Sequence, residues 1–135
     1  MRKTAYTSSH QGLGAVTGAP HWILRLEGAA LAIGAAFFFC RNGGSWLLFA
    51  LLFFAPDLSF SAYLILPRVG AVVYNLVHTT MGPLALLGGA VLLLSPLGQS
   101  IALIWLTHIG ADRALGYGLK YATAFGDTHL GYIGR

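Results

Sequence analysis

The sequence predicts an all-α fold: a polytopic membrane protein built as a bundle of four transmembrane helices. Composition, four apolar stretches of near-membrane length, and ionisable side chains buried within those stretches together point to it. Of the 135 residues, 56% are hydrophobic and 9% charged, against roughly 25% charged in an ordinary soluble domain. A domain this small keeps much of its surface wetted, and eight basic and four acidic residues cannot dress that surface. Lipid is therefore the expected solvent and the bilayer the expected partner. The single cysteine, Cys40, excludes an intramolecular disulfide framework and a CxxC zinc site. The basic residues are scattered along the chain, which argues against a nucleic-acid partner and makes them topology signals.

A helix needs about 20 mostly apolar residues to cross the hydrocarbon core. Spans are predicted near 22–40, 45–66, 69–94 and 97–119, forming a transmembrane domain over 22–121 between a polar tail, 1–21, and a short C-terminal segment, 122–135. The first span runs from Trp22 to Cys40 and ends in the turn Arg41-Asn42-Gly43-Gly44, rich in residues that favour tight turns. Ser45 is the expected N-cap of the second. Pro56-Asp57 interrupts that span, where proline removes a backbone bond and kinks the helix. Two short membrane-dipping segments are the alternative, because 45–55 alone is too short to cross. The third span, Val69 to Leu94, contains Pro83. Ser95-Pro96 then breaks the chain, and Leu97 to Leu119 forms the fourth. Gly28, Gly34, Gly88, Gly89, Gly110 and Gly116 offer small surfaces for close helix packing. Trp22, Trp46, Tyr63, Tyr117 and Tyr121 suit an aromatic belt at the span ends.

Four spans put both termini on one side. Arg2, Lys3, Arg25, Arg68, Arg113, Lys120 and Arg135 then share the terminal side and Arg41 alone faces the other, so the positive-inside rule makes both termini cytoplasmic in a bacterial inner membrane. No cleaved signal peptide is expected, since the first apolar run starts only at Trp22 without a small-residue cleavage site.

Ionisable groups inside spans cost several kcal/mol and mark functional sites by default. Counted from the cytoplasmic end of each span, Glu27, Asp57, Asn75, His78, His108, Asp112 and Arg113 all fall in a layer roughly 7 to 17 Å deep at the helical rise per residue. Asn75 and His78 are three residues apart, and His108 and Asp112 four, which puts each pair on one helix face. Tyr74 stands beside the first pair as a supporting polar group. One account is structural: Arg113 neutralises Asp57 or Glu27, and the histidines are neutral core residues bonded to Asn75, Tyr74 or carbonyls.

The other account is a site open to the cytoplasm. His78, His108 and Asp112 would hold a divalent metal such as zinc, manganese or iron. Asp57 or Glu27 would be a further ligand or the general base for water attacking a small or lipid-borne substrate, with Arg113 holding an anionic group such as phosphate. No HExxH or other local motif accompanies them. The same groups could relay protons without a metal, in a transporter that four helices would require to be a homo-oligomer. An accessory protein whose buried charges only set helix register is the third reading. Asp127-Thr128-His129, just after the fourth span, could lid the cytoplasmic mouth.

Several segments carry a resemblance. They are Leu24-Arg25-Leu26-Glu27-Gly28, Ala55-Pro56-Asp57-Leu58-Ser59, Arg68-Val69-Gly70, Tyr74-Asn75-Leu76-Val77-His78, Ile104 to Gly110, Asp112 to Tyr121, and Asp127-Thr128-His129-Leu130-Gly131. On these, residues 22–131 resemble an uncharacterised bacterial integral-membrane family, domain of unknown function 4260. The resemblance implies a four-helix membrane protein and no particular activity. A looser similarity to small membrane-bound metal-dependent hydrolases rests on no alignable motif.

Overall fold

The computed structural model describes residues 14–133, so Arg2, Lys3, Arg135 and most of the predicted polar tail lie outside the described residues. The fold is nearly all-α, with 71% of residues helical. In order come α1 (Gly18–Arg41), α2 (Trp46–Leu52), a 3-10 helix (Ala55–Leu64), α3 (Pro67–His78), α4 (Met81–Leu92) and α5 (Pro96–Leu115), then a small hairpin of β1 (Asp127–Thr128) and β2 (Gly131–Tyr132). Three units are long and apolar enough to cross a membrane: Gly18–Arg41, Trp46–Leu64 and Pro67–Leu92. Their outer faces carry exposed leucines, isoleucines and phenylalanines, Leu64 being 90% exposed. Helix α5 is different, because the run from Ala102 to Gly110 is buried at every position except Trp105, making α5 the core element.

Helix α5 runs antiparallel to α1, with Arg25 Nε donating to Ala114 O at 2.8 Å and Phe39 packed near Leu103 and Ile104 at the other end. Glycine sets their spacing. A Cβ on Gly110 would sit 2.5 Å from Ala32 N and 2.7 Å from Gly28 O, a contact that only facing glycines permit. The predicted Ser45 cap forms, with Leu48 N–H donating to its Oγ, and Ser95 caps α5 in the same way, accepting from Gly98 N–H.

Three predicted spans are modified, each for a local reason. The second tightens after Leu52 into ten residues of 3-10 helix beginning at Ala55, because Pro56 cannot donate to an α-helical bond. A 3-10 helix repeats every three residues, so Asp57, Phe60 and Tyr63 share one face. The third span breaks at Thr79, whose backbone is extended, and restarts at Met81. Pro83 thereby falls in a first helical turn, where a missing N–H costs nothing. The fourth span stops at Leu115, four residues short of the predicted Leu119. Gly116 there adopts φ +96° and Tyr117 N–H closes back onto Asp112 O at 2.8 Å, a Schellman-type ending. The first helix begins at Gly18, inside the predicted tail.

The chain after Gly116 folds back over the end of the bundle at which α1 starts. Val16 N–H donates to His129 O at 2.8 Å and Tyr121 OH to Gly14 O at 2.9 Å. Arg25, Arg68, Arg113 and Lys120 therefore sit at the same end, and Arg41 at the other.

A two-histidine, two-aspartate cluster

Three separate segments meet under this folded-back chain. The 3-10 helix brings Asp57, the last turn of α3 brings His78, and the last turns of α5 bring His108 and Asp112. Their ligand atoms all lie within 4.8 Å of one another. His78 Nε2 is 3.6 Å from both Asp57 Oδ1 and Asp112 Oδ2. His108 Nε2 is 3.4 Å from Asp57 Oδ1 and 3.5 Å from Asp112 Oδ2. The two Nε2 atoms are 3.2 Å apart. A tetrahedral ion with bonds of about 2.0–2.2 Å has ligand-to-ligand edges of about 3.3–3.6 Å, and the five spacings that involve a histidine nitrogen lie close to that range.

The surrounding groups orient the ligands. His78 Nδ1–H donates to Tyr74 O at 3.0 Å, which turns its Nε2 lone pair into the cluster, the usual arrangement for a metal-ligating histidine. Tyr74 stacks on the His78 ring with centroids 3.7 Å apart, and its hydroxyl lies 3.5 Å from Asp112 Oδ2. Trp105 Nε1–H donates to Val77 O at 2.7 Å and Arg113 Nη2–H to His78 O at 3.4 Å; both bind carbonyls that the break at Thr79 leaves free. His108 packs edge-on against Phe53, and its Nδ1 is buried without a partner.

Both histidines are buried, while Asp112 and Asp57 are 18% and 33% exposed. The exposed side of the carboxylates opens on a cavity of about 270 Å³ lined by Phe60, Tyr74, Tyr117, Lys120, Phe125 and Ile133. Lys120 is buried. Its Nζ donates to Phe125 O at 2.7 Å and lies over the rings of Phe125 and Tyr74 at 3.7 and 4.9 Å. Burial lowers its pKa to about 8, against the pull of Asp112, so it stays mostly charged at pH 7.

The predicted layer is thus assembled in part. Asp57, His78, His108 and Asp112 converge. Asn75 clamps the backbone of Lys120, donating through Nδ2 to its carbonyl at 2.8 Å and accepting its N–H at 2.7 Å. Arg113 braces the end of α3 and does not line the cavity. Glu27 is not brought in, standing on the exposed side of α1 next to the Gly28 contact. Asp127 and His129 shape the returning chain. Thr123 Oγ1–H donates to Asp127 Oδ2 at 2.6 Å, and Leu119 N–H to His129 Nδ1 at 2.8 Å, an acceptor kept neutral because burial and the Arg113 charge lower its pKa. That chain covers the cavity with Phe125 and Ile133 instead of its polar triplet. Sequence reasoning treated Lys120 only as a topology charge; its place beside the cluster follows from the turn at Gly116, whose glycine was the available signal.

Fold and cluster together define an α-helical protein with membrane-length apolar helices around a buried group of two histidines and two aspartates. The chain belongs to the family described as domain of unknown function 4260, which it matches over residues 21–133. No curated protein and no solved structure matches it.

The double bond from Asn75 makes a specific prediction. Asn75→Ala leaves the N–H and C=O of Lys120 without their partners, at about 1–3 kcal/mol for an unsatisfied buried group. Amide exchange across residues 117–130 should accelerate while α1 and the middle of α5 keep their protection.

Proposed function

We propose that this protein is a multi-pass membrane protein of the bacterial inner membrane that holds one divalent metal ion and uses it for hydrolysis. The observation that carries the reading is the set of 3.2–3.6 Å spacings from the Nε2 atoms of His78 and His108 to one another and to the carboxylates of Asp57 and Asp112. Charge supports it. With neutral imidazoles the cluster has two negative charges, and His78 Nε2 is already a lone pair, so His108 offers the one N–H that could point at three acceptors. A zinc or manganese ion neutralises the carboxylates and satisfies both nitrogens, whereas uncompensated charges in an apolar bundle cost several kcal/mol.

In this reading His78, His108 and Asp112 hold the ion. Asp57, one-third exposed at the cavity wall, is a fourth ligand or the general base. A bound divalent ion supplies Lewis-acid activation of water or of a substrate oxygen. Water adds at the scissile centre, Asp57 takes its proton, and the leaving group departs with a proton returned to it. Glu27, outside the cluster, takes no part. The clustering of Arg25, Arg68, Arg113 and Lys120 at one end supports a cytoplasmic assignment for both ends of the chain and, with them, for the cavity mouth.

Elemental analysis of protein purified in mild detergent, without a histidine tag or chelator, should find close to one zinc or manganese per chain. The His78→Ala, His108→Ala double variant should lose it while staying helical. Metal-free wild-type protein would refute the reading. Orientation is checked separately by Asn42→Cys in a Cys40→Ala background, which a membrane-impermeant maleimide should label in intact spheroplasts. Labelling only after lysis would reverse the topology.

A further inference from the structure

Resting on the metal reading, the cavity beside the cluster also defines what the site would accept. We infer that it binds a phosphoryl dianion, with one face of the group on the metal side and the other on Lys120. The charge inventory leads there. A divalent ion balances Asp57 and Asp112, which leaves Lys120 in the cavity wall and Arg113 behind His78 as two uncompensated positive charges. Among the described residues, no other carboxylate lines the cavity.

Lys120 is built for this position. An ammonium has three N–H donors, and one goes to Phe125 O. Its rim of Phe60, Tyr74 and Phe125 rings holds the cation in place through ring faces, and those faces offer no anion to compete with a ligand. Asn75 fixes the backbone from which the side chain springs. Arg113, which composition alone would favour as an anion clamp, donates to His78 O and lies outside the cavity. The anion-holding residue is therefore Lys120.

Size narrows the class. A cavity of about 270 Å³ lies just under the usual range of about 300–1,000 Å³ for small-molecule sites, which suits a phosphate or a small phosphomonoester headgroup. Phe125 and Ile133 give the mouth an apolar lip. The same recognition chemistry serves a phosphoryl group carried by a lipid headgroup or a free phosphate.

The test uses full-length protein loaded with manganese, its occupancy measured first. In the soluble arm, phosphorus NMR should show inorganic phosphate relaxed by the bound ion, and Lys120→Met should weaken that binding about tenfold or more, the loss of a charged hydrogen bond, at unchanged manganese content. In the lipid arm, protein in phosphatidylcholine nanodiscs containing phosphatidic acid should relax the monoester phosphorus selectively if the source is a headgroup. Relaxation in the soluble arm alone assigns a free phosphate. Full manganese occupancy with no phosphate relaxation in either arm overturns this inference and leaves the metal centre standing. Wild-type binding by Lys120→Met overturns it as well. Failure to take up manganese at saturation overturns the metal reading and this inference together.

Discussion

Two carboxylates facing one another inside an apolar helical bundle are the constraint on which this structure turns. Asp57 and Asp112 come from segments 55 residues apart in sequence and share the same two imidazole nitrogens at 3.4–3.6 Å. Their repulsion has to be offset where it arises, because a low-dielectric surrounding magnifies it. Lys120 and Arg113 direct hydrogen bonds elsewhere: one donates to Phe125 O and the other to His78 O at the end of α3. On the proposed metal reading, a divalent cation between the four side chains would remove the repulsion and give the two histidines a reason to face each other.

The irregularities of the fold serve that meeting point. A continuous α-helix through Pro56 would not place Asp57, Phe60 and Tyr63 on one face; the 3-10 helix does, and Phe60 then stacks on Tyr74 behind His78. The break after His78 leaves carbonyls that Trp105 and Arg113 bind, both of them from α5, which fixes the height of His78 against His108. Gly28 and Gly110 let α5 lie close against α1, so the helix that carries two of the four cluster residues is the most deeply packed. Gly116 then ends α5 one turn beyond Asp112 and sends Lys120 back to the cavity.

Much of this was legible in the sequence. Composition and apolar run lengths were enough for a helical, membrane-length architecture, and the spacings Asn75-His78 and His108-Asp112 were enough to place polar pairs on common faces. Depth counting brought Asp57 to the same level even though its span is not α-helical there, because a level depends on distance from the span end more than on helix type. The same counting included Glu27 wrongly in the converging set: depth carries no azimuth, and the close Gly28 contact turns the neighbouring side chain outward. Lys120 was invisible as a site residue for the opposite reason. Its position depends on a left-handed glycine and a side-chain clamp from Asn75, and neither leaves a periodic signal.

The central claim concerns the coordination of one ion, and X-ray absorption at the metal edge of the purified protein tests it most directly. The account predicts a first shell of nitrogen and oxygen only, about four atoms at about 2.0–2.2 Å, with outer-shell scattering from two imidazole rings. A sulfur-containing shell, or six oxygens with no imidazole signal, would contradict it.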